Sequence, residues 1–173
     1  GAAVFNQDIG QWNVSQVTTM TSMFNGAVAF NQDIGKWNVS DVTNMKGLFK
    51  DKTSFNESLS SWDTSSVTDM SNMFQGATSF NQSLSTWNVS NVTDMSNMFN
   101  GATDFNGSIG SSWNTSSVTN MNSMFSGAAV FNQDIGQWNV SQVTTMTSMF
   151  NGAVAFNQDI GKWNVSDVTN MKG

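Results

Sequence analysis

Aligned on Phe5-Asn6, the chain restarts at Phe30, Phe55, Phe80, Phe105, Phe131 and Phe156, in five steps of 25 residues and one of 26. A fixed period of this length constrains the fold more than any local propensity, because a unit so short cannot bury its own apolar face and must stack on its neighbours. The units are called here rungs 1 to 7, covering residues 5–29, 30–54, 55–79, 80–104, 105–130, 131–155 and 156–173. The long step arises where Gly110-Ser111-Ser112-Trp113 replaces the usual spacing to Trp, and one extra residue in a turn adds little loop entropy. Residues 1–47 recur letter for letter as 127–173, so a super-repeat of 126 residues, five rungs, lies over the shorter one. The expectation is one solenoid segment over residues 1–173, a window onto a tandem array. Stacks of this kind normally end in a polar cap. None is read at either end, so the array either continues or stacks end to end on further copies.

Within a rung the apolar spacing changes. Trp12 and Val14 alternate with Gln11, Asn13 and Ser15, the period-two pattern of a short strand with one buried face. From Met20 the spacing becomes i, i+3, i+4, i+7 through Met23, Phe24 and Ala27, with Thr18 placed as N-cap and Gly26 at the end. This predicts one short parallel strand and a short α- or 3-10-helical return per rung. Stacked at the usual strand spacing of ~4.8 Å, seven rungs span roughly 30 Å.

The stretch Ile9-x-x-Trp12-x-Val14-x-x-Val17-x-x-Met20 has leucine-rich-repeat spacing. With its FNQDI, WNVSxVTxM and MFxGA blocks, the repeat resembles the BspA-like leucine-rich-repeat surface proteins, whose units of this length also occur in mycoplasma surface lipoproteins. The resemblance runs through the whole chain. It implies a secreted or cell-surface location, a role in adhesion where one is proposed, and no enzymatic activity. Rung 2 departs from it at Gly47-Leu48-Phe49-Lys50-Asp51-Lys52, where Leu48 takes a Met position and Lys50-Asp51-Lys52 replaces the Asn-Gly-Ala turn, so the pattern does not predict a regular helix end there.

Composition narrows the chemistry. The chain has no Cys, His, Arg, Tyr or Pro and a single Glu, which removes the usual zinc ligands and the common nucleophile–base pairs. No enzyme, cofactor or metal is expected. With 12 acidic and 6 basic residues the formal charge is −6, which argues against nucleic acid, whose binding needs clustered cations. There is no apolar run long enough for membrane insertion in this segment.

Several positions recur in every rung. Asn6, Asn31, Asn56, Asn81, Asn106, Asn132 and Asn157 predict an amide ladder pairing turn backbone groups. Thr18, Thr43, Thr68, Thr93, Thr119, Thr144 and Thr169 read as helix caps, with a water-ordering, ice-binding row as the sharper alternative. Trp12, Trp37, Trp62, Trp87, Trp113, Trp138 and Trp163 are expected to point inward, each indole N–H reaching a carbonyl or the Asn ladder, rather than outward as a sugar-stacking stripe. Met pairs such as Met95 and Met98 read as core filler and not as a soft-metal site.

With Trp inward, the outward strand residues form a polar strip centred on Asn13, Asn38, Asp63, Asn88, Asn114, Asn139 and Asn164, the candidate partner-binding face. Most of these also begin Asn-x-Ser sequons, a by-product of an Asn- and Ser-rich repeat. Asp8, Asp33, Asp134 and Asp159 share one turn, but one carboxylate per rung at interrupted levels gives calcium too few converging oxygens. Lys46, Lys50 and Lys52 form one positive spot, read either as a solvated turn or as a lateral contact to a neighbouring strand of an assembly. The functional expectation is a non-enzymatic stalk or filament, extracellular or on the cell surface, that self-associates along its axis. The alternatives are an adhesin for a host or cell-surface protein or glycan, and an ice- or mineral-surface binder.

Overall fold

A computed structural model describes residues 2–109 and 113–173. The extra residue of rung 5, within Gly110-Ser111-Ser112, lies outside them. Successive rungs lie on one another in parallel, with single-residue bridges Thr19–Asn44, Asn44–Asp69, Asp69–Asp94, Asp94–Asn120, Asn120–Thr145 and Thr145–Asn170. Around each bridge the main chain pairs in both directions: Thr68 N–H donates to Thr43 O at 2.8 Å, and Met70 N–H donates to Asp94 O at 3.0 Å.

The parallel pairing falls downstream of Trp, and not at the Trp-x-Val alternation where a strand is expected from sequence. The alternation itself holds in the interior, with Trp37 and Val39 buried and Asn38 exposed. The donors there are consumed locally. Trp37 N–H turns back to Ile34 O at 3.1 Å, and the Asn38 side chain accepts the Ser40 N–H at 3.2 Å. An Asn that captures the amide two residues on competes with ladder formation, which is why the segment turns instead of extending.

The helical return is also corrected, since no α- or 3-10 helix occurs among the described residues. In rung 3, Met73, Gln75 and Ala77 donate back to Met70 O, Asn72 O and Phe74 O, closing successive four-residue turns. The intervening N–H groups of Asn72, Phe74 and Gly76 donate instead to Ser96 O, Met98 O and Asn100 O of rung 4, at 2.7–2.9 Å. A helix keeps all its amides for itself, whereas here every second one goes to the next rung. Left-handed residues four apart, Asn72 at φ +59° and Gly76 at φ +69°, reset the chain after each turn. Inward residues then fall three and four apart, so the apolar spacing of these turns matches that of a helix.

The core is a set of columns. Phe24, Phe49, Phe74, Phe99, Phe125 and Phe150 stack with ring centroids 5.4–5.9 Å apart. Each also lies 3.9–4.3 Å from the Phe that opens the following rung, as in Phe74–Phe80 and Phe99–Phe105. Such pairs add about 0.5–1.5 kcal/mol each beyond simple burial. In rung 5, Gly107 lies so close to rung 4 that a Cβ would press on the Gln82 carbonyl well inside van der Waals contact. Close approach of two backbones leaves room for glycine alone.

The duplicated segments report what stacking does, because identical residues occupy different neighbourhoods. Trp12 in rung 1 is 54% exposed and Trp138 in rung 6 is 3% exposed. Met171 in rung 7 is 53% exposed, and its counterpart Met45, covered by rung 3, is 0%. Trp138→Ala is therefore expected to lower stability by about 3–5 kcal/mol and Trp12→Ala by roughly 1 kcal/mol or less, read by urea denaturation. Equal losses would contradict burial by the neighbouring rung. Gly107→Ala should cost more than about 1 kcal/mol in the same assay, because the clash is with backbone.

Candidate interaction faces

Each polar column is built by a specific use of its hydrogen-bonding groups. Asn81 Oδ1 accepts the Asn106 N–H at 2.8 Å, and the same bond links every successive pair from Asn6–Asn31 to Asn132–Asn157. Gln32, Gln82, Gln133 and Gln158 add their side-chain amides to the same Asn oxygens of the preceding rung. At Asn56 the ladder bond lengthens to 3.4 Å, and Glu57, which has no amide to donate, stands beside it. The ladder is a scaffold whose oxygens are spent on the next rung.

The Thr column does not cap helices. Each hydroxyl from Thr43 to Thr169 donates to the carbonyl of the Thr one rung earlier at 3.1–3.2 Å, beside the main-chain bond to the same oxygen. These side chains are exposed, with their hydroxyl protons already committed.

The Trp column faces inward between the ends. Trp37, Trp62, Trp87 and Trp113 are buried and donate Nε1–H to Ile9, Ile34, Leu59 and Leu84 carbonyls at 3.0–3.1 Å. Trp163, half-buried, donates likewise to Ile135. Trp12 is exposed at the first rung, and buried Trp138 has no partner among the described residues.

The strip of Asn13, Asn38, Asp63, Asn88, Asn114, Asn139 and Asn164 lies in solvent at every level. Each side-chain oxygen accepts the N–H of the Ser two residues on, at 3.0–3.2 Å. Locking the oxygen inward presents each free Nδ2 to solvent, giving a row of like donors at rung spacing. Asp63 interrupts it with a carboxylate held below its ordinary range by the Ser65 hydroxyl and then the Ser65 N–H. Two buried threonines replace the usual Val behind this strip, Thr64 and Thr115, whose hydroxyls donate to Asn88 O and Asn139 O at 2.9 Å.

Asp8, Asp33, Asp134 and Asp159 each accept the N–H of the following Gly at 2.9 Å, which makes them turn residues. A polar column that the sequence reading passed over is formed by the bridge residues. There Asp69 and Asp94 sit on adjacent rungs, their outer oxygens taken at 3.3 Å by the Asn44 and Asn120 amides. The amide-flanked acidic pair tolerates like charges in register.

The lysine spot does not survive intact. Lys46 is exposed and Lys50 half-buried, but Lys52 is completely buried and cannot join a lateral surface contact. It occupies the core column that holds Ala27 and Ala77 in the neighbouring rungs, and its chain folds inward to the Ala27 carbonyl.

An apolar hollow of about 470 Å³ opens beside Met146, Phe150, Ile160, Trp163 and Met171. Counterparts of these residues in the first copy, Met20, Phe24, Ile34, Trp37 and Met45, are buried under the following rung. The hollow is the core seen in cross-section. Among the described residues no helix is long and apolar enough to cross a membrane.

The family of mycoplasma proteins of unknown function DUF285 matches residues 1–110 and 83–173, which together span the chain. The chain belongs to this family. No curated protein and no solved structure gives a match.

Asn81→Ala leaves the Asn106 N–H without its partner and is expected to cost about 1 kcal/mol in denaturation, with faster amide exchange at residue 106. Asn81→Asp, which keeps the accepting oxygen, should restore most of that loss.

Proposed function

We propose that the chain is a non-catalytic structural segment, a leucine-rich-repeat-type solenoid of the BspA-like kind, serving as a stalk or filament wall outside the cell or on its surface. The observation that carries this reading is that the interior rungs are sealed by one another: Met45, Met70, Met95 and Met121 are fully buried, each at its own level of one continuous core. A layer that is dry only between neighbouring layers makes length along the axis the property that such a stack supplies. The excess of acidic residues supports the reading, because repulsion between sides keeps such rods from bundling at random. Among the described residues the polar columns repeat nearly unchanged from rung to rung, as suits a structural segment.

A second reading, an adhesin for a host or cell-surface protein or a glycan, is favoured by the row of outward Nδ2 groups along Asn13 to Asn164. A periodic row of donors suits a repeating acceptor such as a polysaccharide.

Electron microscopy of the natural protein is expected to show long particles with an axial repeat of roughly 24 Å, five rungs at the usual strand spacing. A strictly monodisperse short monomer contradicts the filament reading. Asn88→Arg in the strip should leave particle length unchanged and abolish binding to glycan-coated surfaces if the adhesin reading holds.

A further inference from the structure

The column of buried alanines Ala27, Ala77, Ala102, Ala128 and Ala153 carries a lysine at one level, Lys52, with 0% exposure. A four-carbon amine is thus housed where the other rungs place one methyl group. Its Nζ donates to the Ala27 carbonyl of rung 1 and stands 5.8 Å from the Phe30 ring centroid. Among the described residues no carboxylate pairs with it. An ammonium taken out of water beside a carbonyl and a ring face is disfavoured relative to the free amine.

The backbone is loosened at the same corner. The second left-handed residue of each interior rung donates its N–H to the next rung: Asp51, Gly76, Gly101 and Gly127 do so at 2.6–2.7 Å. Gly26, the equivalent residue facing Lys50, makes no such bond. A neighbouring bond made by Ala29, Ser79, Asp104 and Ala155 to the preceding rung is absent at Ser54. Among the described residues it is absent elsewhere only at Val130, on the 26-residue step. Beside these gaps, Phe24 N–H reaches Leu48 O at 3.3 Å, against 2.8–2.9 Å for Phe49, Phe74, Phe99 and Phe125. The main-chain contacts between rungs 1 and 2 are therefore missing or stretched just where Lys52 enters.

We propose that this corner is a proton-controlled opening level: rungs 1 and 2 part around Ala27–Phe30 when Lys52 takes up a proton and close when it releases it. Three groups around the corner carry charge. Lys50 and Asp51 adjoin Lys52 in the chain, and Glu57 follows the Phe55 turn. The Asp51 carboxylate lies against Gly76 of rung 3, and residues 25–32 and 75–82 carry no titratable side chain. Desolvation by burial holds the Lys52 amine below the ordinary lysine value of 10.5. The open form, in which the amine meets water, binds the proton more tightly. Opening therefore grows as pH falls from 10.5 through the lowered value and levels off below it, and closure is complete above 10.5.

Amide hydrogen exchange, corrected for intrinsic rates and followed from pH 7 to 11 in the 173-residue chain, tests this against Lys52→Ala and Lys52→Met. Lys52→Ala installs the residue found in the other rungs, and Lys52→Met keeps the chain length without the amine. The expected result is faster opening at residues 26–30 in the native chain than in either variant. The difference should shrink as pH rises and amount to about tenfold for each unit by which burial lowers the amine's pKa. Opening that is equal in native chain and variants, or that does not fall with pH in the native chain, overturns the proposal.

Discussion

No rung of this protein has a core of its own. A loop of 25 residues encloses one layer of side chains, and that layer is dry only when another lies on each side of it. Everything else follows from the requirement that layers match. Phe must lie on Phe, Trp N–H must reach a carbonyl of the preceding rung, and each Asn oxygen must meet the next Asn N–H. The identity of a column is therefore set by contact between rungs far more than by conformation within one.

The same requirement explains the secondary structure. A stack held by backbone bonds between rungs has to divide each rung's amides between its own turns and its neighbour. The Met70–Ala77 segment divides them evenly, one amide inward to a turn and the next upward to rung 4. Left-handed residues make the division possible, and the small or polar residues at those positions, such as Asn72, Gly76 and Asn97, are types that enter that region at low cost.

The period, the inward Trp column and the Asn positions were legible in the sequence because they depend on repetition and on polarity alone. The turn ribbon was not, because apolar residues at i, i+3, i+4 and i+7 serve a helix and a chain of four-residue turns equally well. The strand was misplaced for a related reason. Trp-Asn-Val alternates as a strand does, yet the Asn side chain takes the amide that a strand would have offered. Lys52 was read as a surface charge by residue type. Its position in the alanine column, visible once rungs are aligned, was the signal that pointed inward. The acidic pair Asp69–Asp94 was passed over because the bridge column varies among Thr, Asn and Asp.

The central claim is that stability resides in contacts between adjacent rungs. It is tested most directly by denaturing a series of chains that differ by whole interior 25-residue rungs. The account predicts a constant gain in unfolding free energy and in denaturant sensitivity with each added rung, as for a linear array with nearest-neighbour coupling. Stability that is independent of rung number, or lost altogether when a single interior rung is removed, would contradict it.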